Sequence, residues 1–486
     1  MNPGMNDSPH ISPQDRSAAE LFAEDVAQHP GKSGFQIIRY GRQALTARVV
    51  LCELARKTLD VQYYIWEADA TGRILTDRLV RAAERGVRVR VLLDDINLSG
   101  RDDVIACLNG HPNIEIRIFN PFRRRKARVL DYLTDMDRVN HRMHNKLMVM
   151  DGTAAIVGGR NIGNHYFEVD RDSNFRDLDI AAIGPVVADA SGVFEHFWSG
   201  DWSVPIGDLA GRSYTRDDLE RGLQQVRKRI ESDDYPHPLD RDATDLVRSL
   251  DAIRAAMVWA DGRIVWEDPS SIRTKRELGR MTEALYQRLE RLESELLIES
   301  AYFVPRDRAI ETLRNLHRQG KRVRILTNSM ASNDVLAAHA GYARRRGQVV
   351  ATGAEVHEFR PDPDDVKQRL VSVKSRAGLH TKAIVFDRRD VFIGSFNLDP
   401  RSNAINTEAG LYVESEELAR QVSEYLDEGA KPENSYRVVA DADGRLTWTA
   451  AAADGKEIRL HKDPESSSWQ RLLAGLIGRL PVEDQL

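Results

Sequence analysis

The strongest constraint on the fold is that the chain is written twice. Residues 59–66 form an apolar run of strand character. A helical stretch follows over about 72–85, Gly86 caps it, and a second apolar strand runs over 87–93. The order returns as a strand over 296–304, a helix over about 306–319, Gly320 as the cap, and a strand over 321–326. Strand, helix, glycine cap, strand is a βαβ unit, with parallel strands and a right-handed crossover. Gly86 and Gly320 stand almost half the chain apart, a period far too long for a solenoid. The expected fold is two homologous α/β domains in one chain.

Each half continues into a segment that carries reactive side chains. The first offers His144, Lys146, Asp151 and Asn161. The second offers His380, Lys382, Asp387 and Asn397. In both, Asp follows His at +7 and Asn at +17, and the two segments are offset by almost the same interval as the glycines. One such set arises by accident; two in register inside a wider repeat are a strong signal. His-x-Lys on a strand places both side chains on one face, because alternate residues point the same way. The residues after each lysine are apolar, as in a buried strand, and Asp151-Gly152 marks a tight turn. The chain then returns and brings Asn161 or Asn397 back to the His–Lys end. Two such halves facing each other make a phosphate cradle.

The side-chain inventory suits displacement at a phosphodiester. That reaction needs a nucleophile, an acid for the leaving oxygen, and positive charge around the equatorial oxygens. One neutral imidazole attacks phosphorus and the other, protonated, serves the leaving alkoxide, so the two titrations are coupled. Lys146 and Lys382 take the part a metal plays elsewhere, with Asn161, Asn397 and Ser395 as hydrogen-bond donors to phosphate. Asp177 and Glu408, downstream in the two halves, are candidates to hold a histidine's other ring nitrogen. The first half has Gly159 where the second has Ser395, so the halves are not equivalent. The residues alone do not say which histidine attacks.

This duplicated His-Lys-Asp pattern resembles the phospholipase D superfamily. The resemblance implies two phospholipase D-like α/β domains packed into a pseudo-two-fold monomer with one shared active site. It implies a covalent phosphohistidine, no metal or other cofactor, and a structural role for Asp151 and Asp387. It favours His144 as nucleophile and His380 as acid. From about residue 30 onward the chain is similar to bacterial cardiolipin synthases, particularly the C type. The stretches that carry this are 59–67, 119–122, 157–163, 326–329 with 333–335, 339–344 and 396–402. The similarity implies transfer of a phosphatidyl group from phosphatidylglycerol or phosphatidylethanolamine to phosphatidylglycerol, with phospholipids as the partners. The chain lacks the two amino-terminal membrane spans common in the A type, which fits the C type. The rivals are hydrolysis to phosphatidic acid, a nuclease of the same superfamily, and a non-catalytic membrane-binding protein that kept the fold. Intact His and Lys in both halves speak against the last.

Composition narrows the partners. The net charge is −5, which argues against a broad nucleic-acid surface. The two cysteines, Cys52 and Cys107, sit in apolar surroundings and read as buried free thiols. No apolar run approaches the roughly 18 residues a bilayer span needs, and residues 1–34 lack the pattern of a secretory signal. Membrane contact is therefore expected to be peripheral, and with the resemblance this implies the cytoplasmic face of a bacterial cytoplasmic membrane. No protein partner is indicated.

The expected division is a polar segment over 1–34, a first domain over 35–230, a second over 231–430, and a hairpin with an amphipathic helix over 431–486. The second domain opens with an acidic linker over 231–240 and a charged helical insertion over 241–290. Two features suit a lipid surface. Trp469, Leu472, Leu473, Leu476, Ile477 and Leu480 fall on one face of a terminal helix, which either lies in the lipid interface or docks on the core. Phe119 and Phe122 stand beside a basic cluster over 123–128. Other motifs carry less. His141 and His144 lack a third metal ligand, and residues 31–34 lack the spacing of a phosphate loop. Phe194, Phe197, Trp198 and Trp202 read as core, and His339 and Tyr342 as helix packing or, more weakly, a headgroup pocket.

Overall fold

The computed structural model describes residues 17–211, 213–233, 250–270, 279–367, 375–452 and 455–477. The first half contributes strands β1 (Ser33–Ile38), β2 (Thr58–Tyr63), β3 (Arg88–Asp94), β4 (Ile114–Phe119), β5 (Leu147–Met150), β6 (Ala154–Gly158), β7 (Ser173–Arg176), β8 (Asp179–Ile183) and β9 (Ser203–Pro205). The second contributes β10 (Val258–Trp266), β11 (Glu295–Ser300), β12 (Arg322–Asn328), β13 (Glu355–Phe359), β14 (Arg376–Leu379), β15 (Lys382–Phe386), β16 (Asp390–Gly394), β17 (Ala409–Glu414), β18 (Ser435–Ala440), β19 (Leu446–Ala451) and β20 (Glu457–Leu460).

The two halves share one strand order. In the first, β2, β3 and β4 run parallel, with β9 antiparallel beyond β4 and β5, β6, β8 and β1 antiparallel on the other side. In the second, β11, β12 and β13 are parallel, with β18 beyond them and β15, β16, β17 and β10 on the other side. β19 and β20 extend the outer edge. The crossover helices Ala70–Glu84 and Asp307–Arg318 end just before Gly86 and Gly320, at φ +94 and +75. A left-handed residue there turns the chain into the next strand, which favours glycine.

β1 and β10, the matching edge strands, pair antiparallel with Gly34 opposite Trp259. The two sheets thereby become one, with 18 strands among the described residues. β7 and β14 form a second, two-stranded parallel sheet across the halves. A continuous core runs under the joint, with Phe35, Val157 and Ile180 of the first half packed with Leu297, Ile393 and Leu411 of the second.

Several expectations are corrected. Residues 258–266 are a strand, not part of a helical insertion; Val258, Trp259, Ile264, Val265 and Trp266 are strand-forming side chains. Among the described residues of this segment, α-helix lies at 250–255 and Arg280–Glu290 on either side. The end of the polar amino-terminal segment is helix Ala18–Ala27, capped by Ser17 and Glu20, with Phe22 in the first-half core. The acidic linker lies, from residue 234 on, outside the described residues.

The basic loop also differs. Phe119 and Phe122 are buried, Arg125 pairs with Asp95 and Asp102, and Arg128 with Asp95. The exposed apolar side chains come one turn later, at Val129, Leu130, Leu133 and Met136. Helix Ser468–Ile477 docks through Ala474 against Met330 and Ala340, yet Trp469, Leu472 and Leu476 stay exposed. Residues 478–486 and the side chain of Ile477 lie outside the described set. Cys52 is buried and Cys107 half-buried, both as free thiols. His339 and Tyr342 are buried, and the Tyr342 hydroxyl donates to Glu358 at 3.0 Å. Among the described residues no helix is long and apolar enough to cross a membrane.

Candidate active site

The site is built from two hairpins. β5 turns into β6 at Asp151 and Gly152, with φ of +52 and +64. β15 turns into β16 at Asp387 and Arg388, both at φ +53. Two successive left-handed residues are what a tight hairpin of this twist requires. The Asp151 carboxylate accepts from the N–H groups of Arg56, Lys57 and Thr58 at 2.9, 2.7 and 2.8 Å. The Asp387 carboxylate accepts from those of Glu293, Ser294 and Glu295 at 3.1, 2.7 and 3.1 Å. Each aspartate ties its hairpin to the start of the neighbouring strand, at the end of the hairpin away from the histidine.

The histidines sit just before the strands rather than on them: β5 begins at Leu147 and β15 at Lys382. Their backbones pair instead with the opposite half. The His144 N–H donates to the Thr407 carbonyl at 2.8 Å, and the His380 N–H to the Arg176 carbonyl at 2.8 Å. That pairing brings in the carboxylates from across the interface. His144 Nδ1 lies 2.8 Å from Glu408 Oε2, and His380 Nδ1 lies 2.6 Å from Asp177 Oδ2. With Nδ1–H held by a carboxylate, Nε2 of each ring is the nitrogen left for chemistry. Lys146 Nζ donates to the His144 carbonyl at 2.5 Å, and Lys382 Nζ to that of His380.

The difference between the halves follows from these contacts. A Cβ on Gly159 would lie 2.2 Å from Asp177 Oδ1, so glycine makes room for the aspartate. At the matching place Ser395 donates its hydroxyl to Glu408. Ser395, expected to reach phosphate, has its hydroxyl turned to that carboxylate instead. Asn161 Oδ1 accepts from the Ile65 N–H at 3.2 Å, and Asn397 Oδ1 from that of Tyr302 at 3.4 Å. Each amide is thereby oriented with its NH2 as the remaining donor.

The cluster is almost dry: both lysines are 2 % exposed, and Asp177 and Glu408 are 0 %. Burial first, and then the two ammoniums, hold both imidazoles well below their usual range. Burial also lowers the lysines, against Glu408 for Lys146 and Asp177 for Lys382. It raises Asp177 and pushes Glu408 up to about 7, with Lys382 and Lys146 opposing. The two lysines and the two carboxylates oppose each other's shifts, and a bound phosphodiester anion favours the protonated form of an imidazole.

Sequence alone does not single out the residues that support the histidines. Asp94 Oδ2 accepts from the N–H of Met143 at 2.8 Å, and Asn328 Oδ1 from that of Leu379 at 2.8 Å. Each pins the residue before a histidine. A signal for them is present in the repeat: Asp94 and Asn328 end β3 and β12, the same number of steps beyond Gly86 and Gly320. Tyr64 packs edge-on against His144 with centroids 4.8 Å apart, and Tyr166 and Phe175 flank His380 at 5.1 and 5.2 Å.

Two imidazoles and two ammoniums converging from duplicated α/β halves define an enzyme of the phospholipase D superfamily. The family model described as "Cardiolipin synthase, PLD-like domain" matches residues 51–198 and 285–429, and the chain belongs to that family. It is 38% identical over 474 residues to cardiolipin synthase C of Escherichia coli (strain K12), covering 94% of this chain and 97% of that one. It is 25% identical to cardiolipin synthase B of Salmonella typhimurium (strain LT2), covering 78% of this chain and 76% of the other. Among solved structures, the phosphatidylserine synthase of Haemophilus influenzae Rd KW20 superposes with a TM-score of 0.60 at 15% identity, covering 96% of this chain and all of that one.

Proposed function

We propose that the protein is a cardiolipin synthase. It moves a phosphatidyl group from phosphatidylglycerol or phosphatidylethanolamine to the glycerol hydroxyl of phosphatidylglycerol, through a covalent phosphohistidine. The observation that carries this reading is the pair of crossed histidine–carboxylate contacts, which present two Nε2 atoms in one buried, cation-lined site. His144 Nε2 attacks phosphorus, the bond to the leaving alcohol breaks, and His380 supplies its proton. The acceptor hydroxyl then gives a proton to His380 and attacks, and the P–N bond breaks. Lys146, Lys382, Asn161 and Asn397 stabilise the charge on the equatorial oxygens. Asp177 and Glu408 orient the rings, Ser395 holds Glu408, and Asp151 and Asp387 hold the hairpins.

The substrate class rests on the relatives, and two exposed apolar helices support work at a membrane surface. Val129, Leu130 and Leu133 on helix Arg128–Thr134 stand free of the core beside the exposed Arg123 and Lys126. Trp469, Leu472 and Leu476 do the same on the terminal helix. Apolar side chains rimmed by cations suit peripheral contact with anionic lipid. The location we infer is the cytoplasmic face of a bacterial membrane.

The test is a product analysis. Purified protein is mixed with vesicles of phosphatidylglycerol, with and without phosphatidylethanolamine. Cardiolipin that disappears in His144→Ala is expected, and the mixture that yields it identifies the donor. Phosphatidic acid alone would make the protein a hydrolase. No lipid product at all would overturn the lipid reading.

A further inference from the structure

The second half holds an apolar cavity at a place that the first half fills. It has a volume of about 350 Å3 and lies between helices Arg280–Glu290 and Asp307–Arg318 and the sheet. Its walls include Leu285, Leu289, Ile298, Leu313, Ile384 and Phe396. Ile384 and Phe386 follow Lys382 in steps of two along β15, so the cavity lies on the sheet face that carries Lys382. Asp399, at its edge, is two residues beyond Asn397. The cavity therefore borders the strand that carries Lys382 and the loop that carries Asn397.

The internal repeat supplies a control. The corresponding place in the first half holds only about 10 Å3. Arg48 and Cys52 line it where Leu285 and Leu289 line the cavity. The Arg48 guanidinium is buried there, 2.9 Å from both Asp179 Oδ2 and the Tyr63 hydroxyl. Tyr63 ends β2, whereas Ser300 ends β11. One half fills the space with a large ion-paired side chain and a phenol. The other leaves it open and lined with hydrocarbon.

The rim indicates the occupant. Arg306 and Arg308 line the cavity and are exposed, with the Arg308 guanidinium 4.3 Å from the Tyr286 ring centroid. A hydrocarbon interior with cations at its edge matches a fatty acyl chain that ends in an anionic headgroup. The volume is at the lower end of the roughly 300–1,000 Å3 usual for ligand sites, which suits one chain rather than two.

We propose that this cavity takes one acyl chain of the phospholipid held by the second half. The inference rests on the lipid transferase reading, and makes turnover depend on the length of that chain.

The test uses the full-length protein and vesicles containing a phosphatidylglycerol with a diazirine at the end of one acyl chain. After irradiation, label is expected on peptides spanning 285–289 and 309–316. Label confined to other peptides, or none above the unirradiated control, would overturn the proposal. Ala309→Phe, which places a ring at the half-buried lip, is expected to cut that labelling about tenfold. It should also lower kcat/KM for long-chain phosphatidylglycerol while sparing a short-chain form. An equal loss on both would overturn the proposal. Labelling needs no turnover, so the two readings fail separately. Label in the cavity with no cardiolipin formed retires the transferase; cardiolipin formed with no label there retires the cavity.

Discussion

Glu408 Oε2 lies 2.8 Å from His144 Nδ1, although the two residues are 264 positions apart and belong to different halves of the repeat. Asp177 and His380 repeat the arrangement in the other direction. Each ring is therefore oriented by a carboxylate that its own half does not supply. Glu408→Gln and Asp177→Asn should lower kcat by about 10²–10⁴-fold, as when the orienting acid of a catalytic histidine is neutralised. NMR of labelled histidines should show Glu408→Gln disturbing His144 and Asp177→Asn disturbing His380. The reverse pattern would refute the crossing.

His144→Ala and His380→Ala should each reduce turnover to background with no change in melting temperature beyond a few degrees. Rapid quench with radiolabelled phospholipid should trap an acid-labile, base-stable adduct in the wild type and none in His144→Ala. An adduct that persists in His144→Ala and vanishes in His380→Ala would exchange the two roles.

Anion binding should draw a proton into the site. Both imidazoles are held well below their usual range by burial and by the ammoniums, so both are neutral near pH 7. A bound phosphodiester anion favours the charged ring and raises its pKa. Calorimetry in buffers of different ionisation enthalpy should register uptake of about one proton per bound anion, as one imidazole becomes charged. No uptake would mean that the acid is already protonated in the free enzyme.

On the proposal that Lys146 and Lys382 supply the positive charge, chelators should leave activity unchanged. Loss of activity on chelation, restored by a divalent ion, would contradict this.

Asp387 is a structural pin, and its loss should be felt in stability. Burial opposes its charge, but the N–H groups of Ser294, Glu293 and Glu295 hold its carboxyl below the usual carboxylate range. A depressed carboxyl stabilises the fold fully above its unfolded value of about 3.9, and the contribution is lost as pH falls through the folded value. Asp387→Ala should therefore cost about 1–3 kcal/mol at pH 7, with a smaller difference from wild type near pH 3. Denaturant titration at the two pH values reads this directly.

The exposed helices should govern vesicle binding without touching the fold. Val129 and Leu133 are 71% and 76% exposed. If both enter lipid, Val129→Ser with Leu133→Ser should weaken partition to phosphatidylglycerol vesicles by tenfold or more, since burial of such side chains is worth about 1.5–3 kcal/mol each. Unchanged sedimentation with vesicles would remove this helix from the interface.

What is legible in the sequence is what is local. The hairpins, their turns at Asp151 and Asp387, and the two βαβ units lie within short stretches whose periodicity and turn residues are readable directly. The crossing is not legible, because it depends on how β7 meets β14 and how Met143 meets Thr407, contacts that join one half of the chain to the other. β10 is hidden by charged helices on both sides, although its tryptophans and β-branched residues carry a strand signal. Phe119 and Phe122 mislead for the opposite reason: their neighbours are basic, but Asp95 and Asp102, on other elements, absorb Arg125 and draw the loop inward.

The antiparallel pairing of β1 with β10 has an evolutionary reading. A duplicated domain ordinarily frees one copy to drift, because the other still performs the work. Here the two copies share a seam, and each depends on the other for the acid behind its histidine. A defect in either is exposed at once in both, so neither could decay silently or be shed.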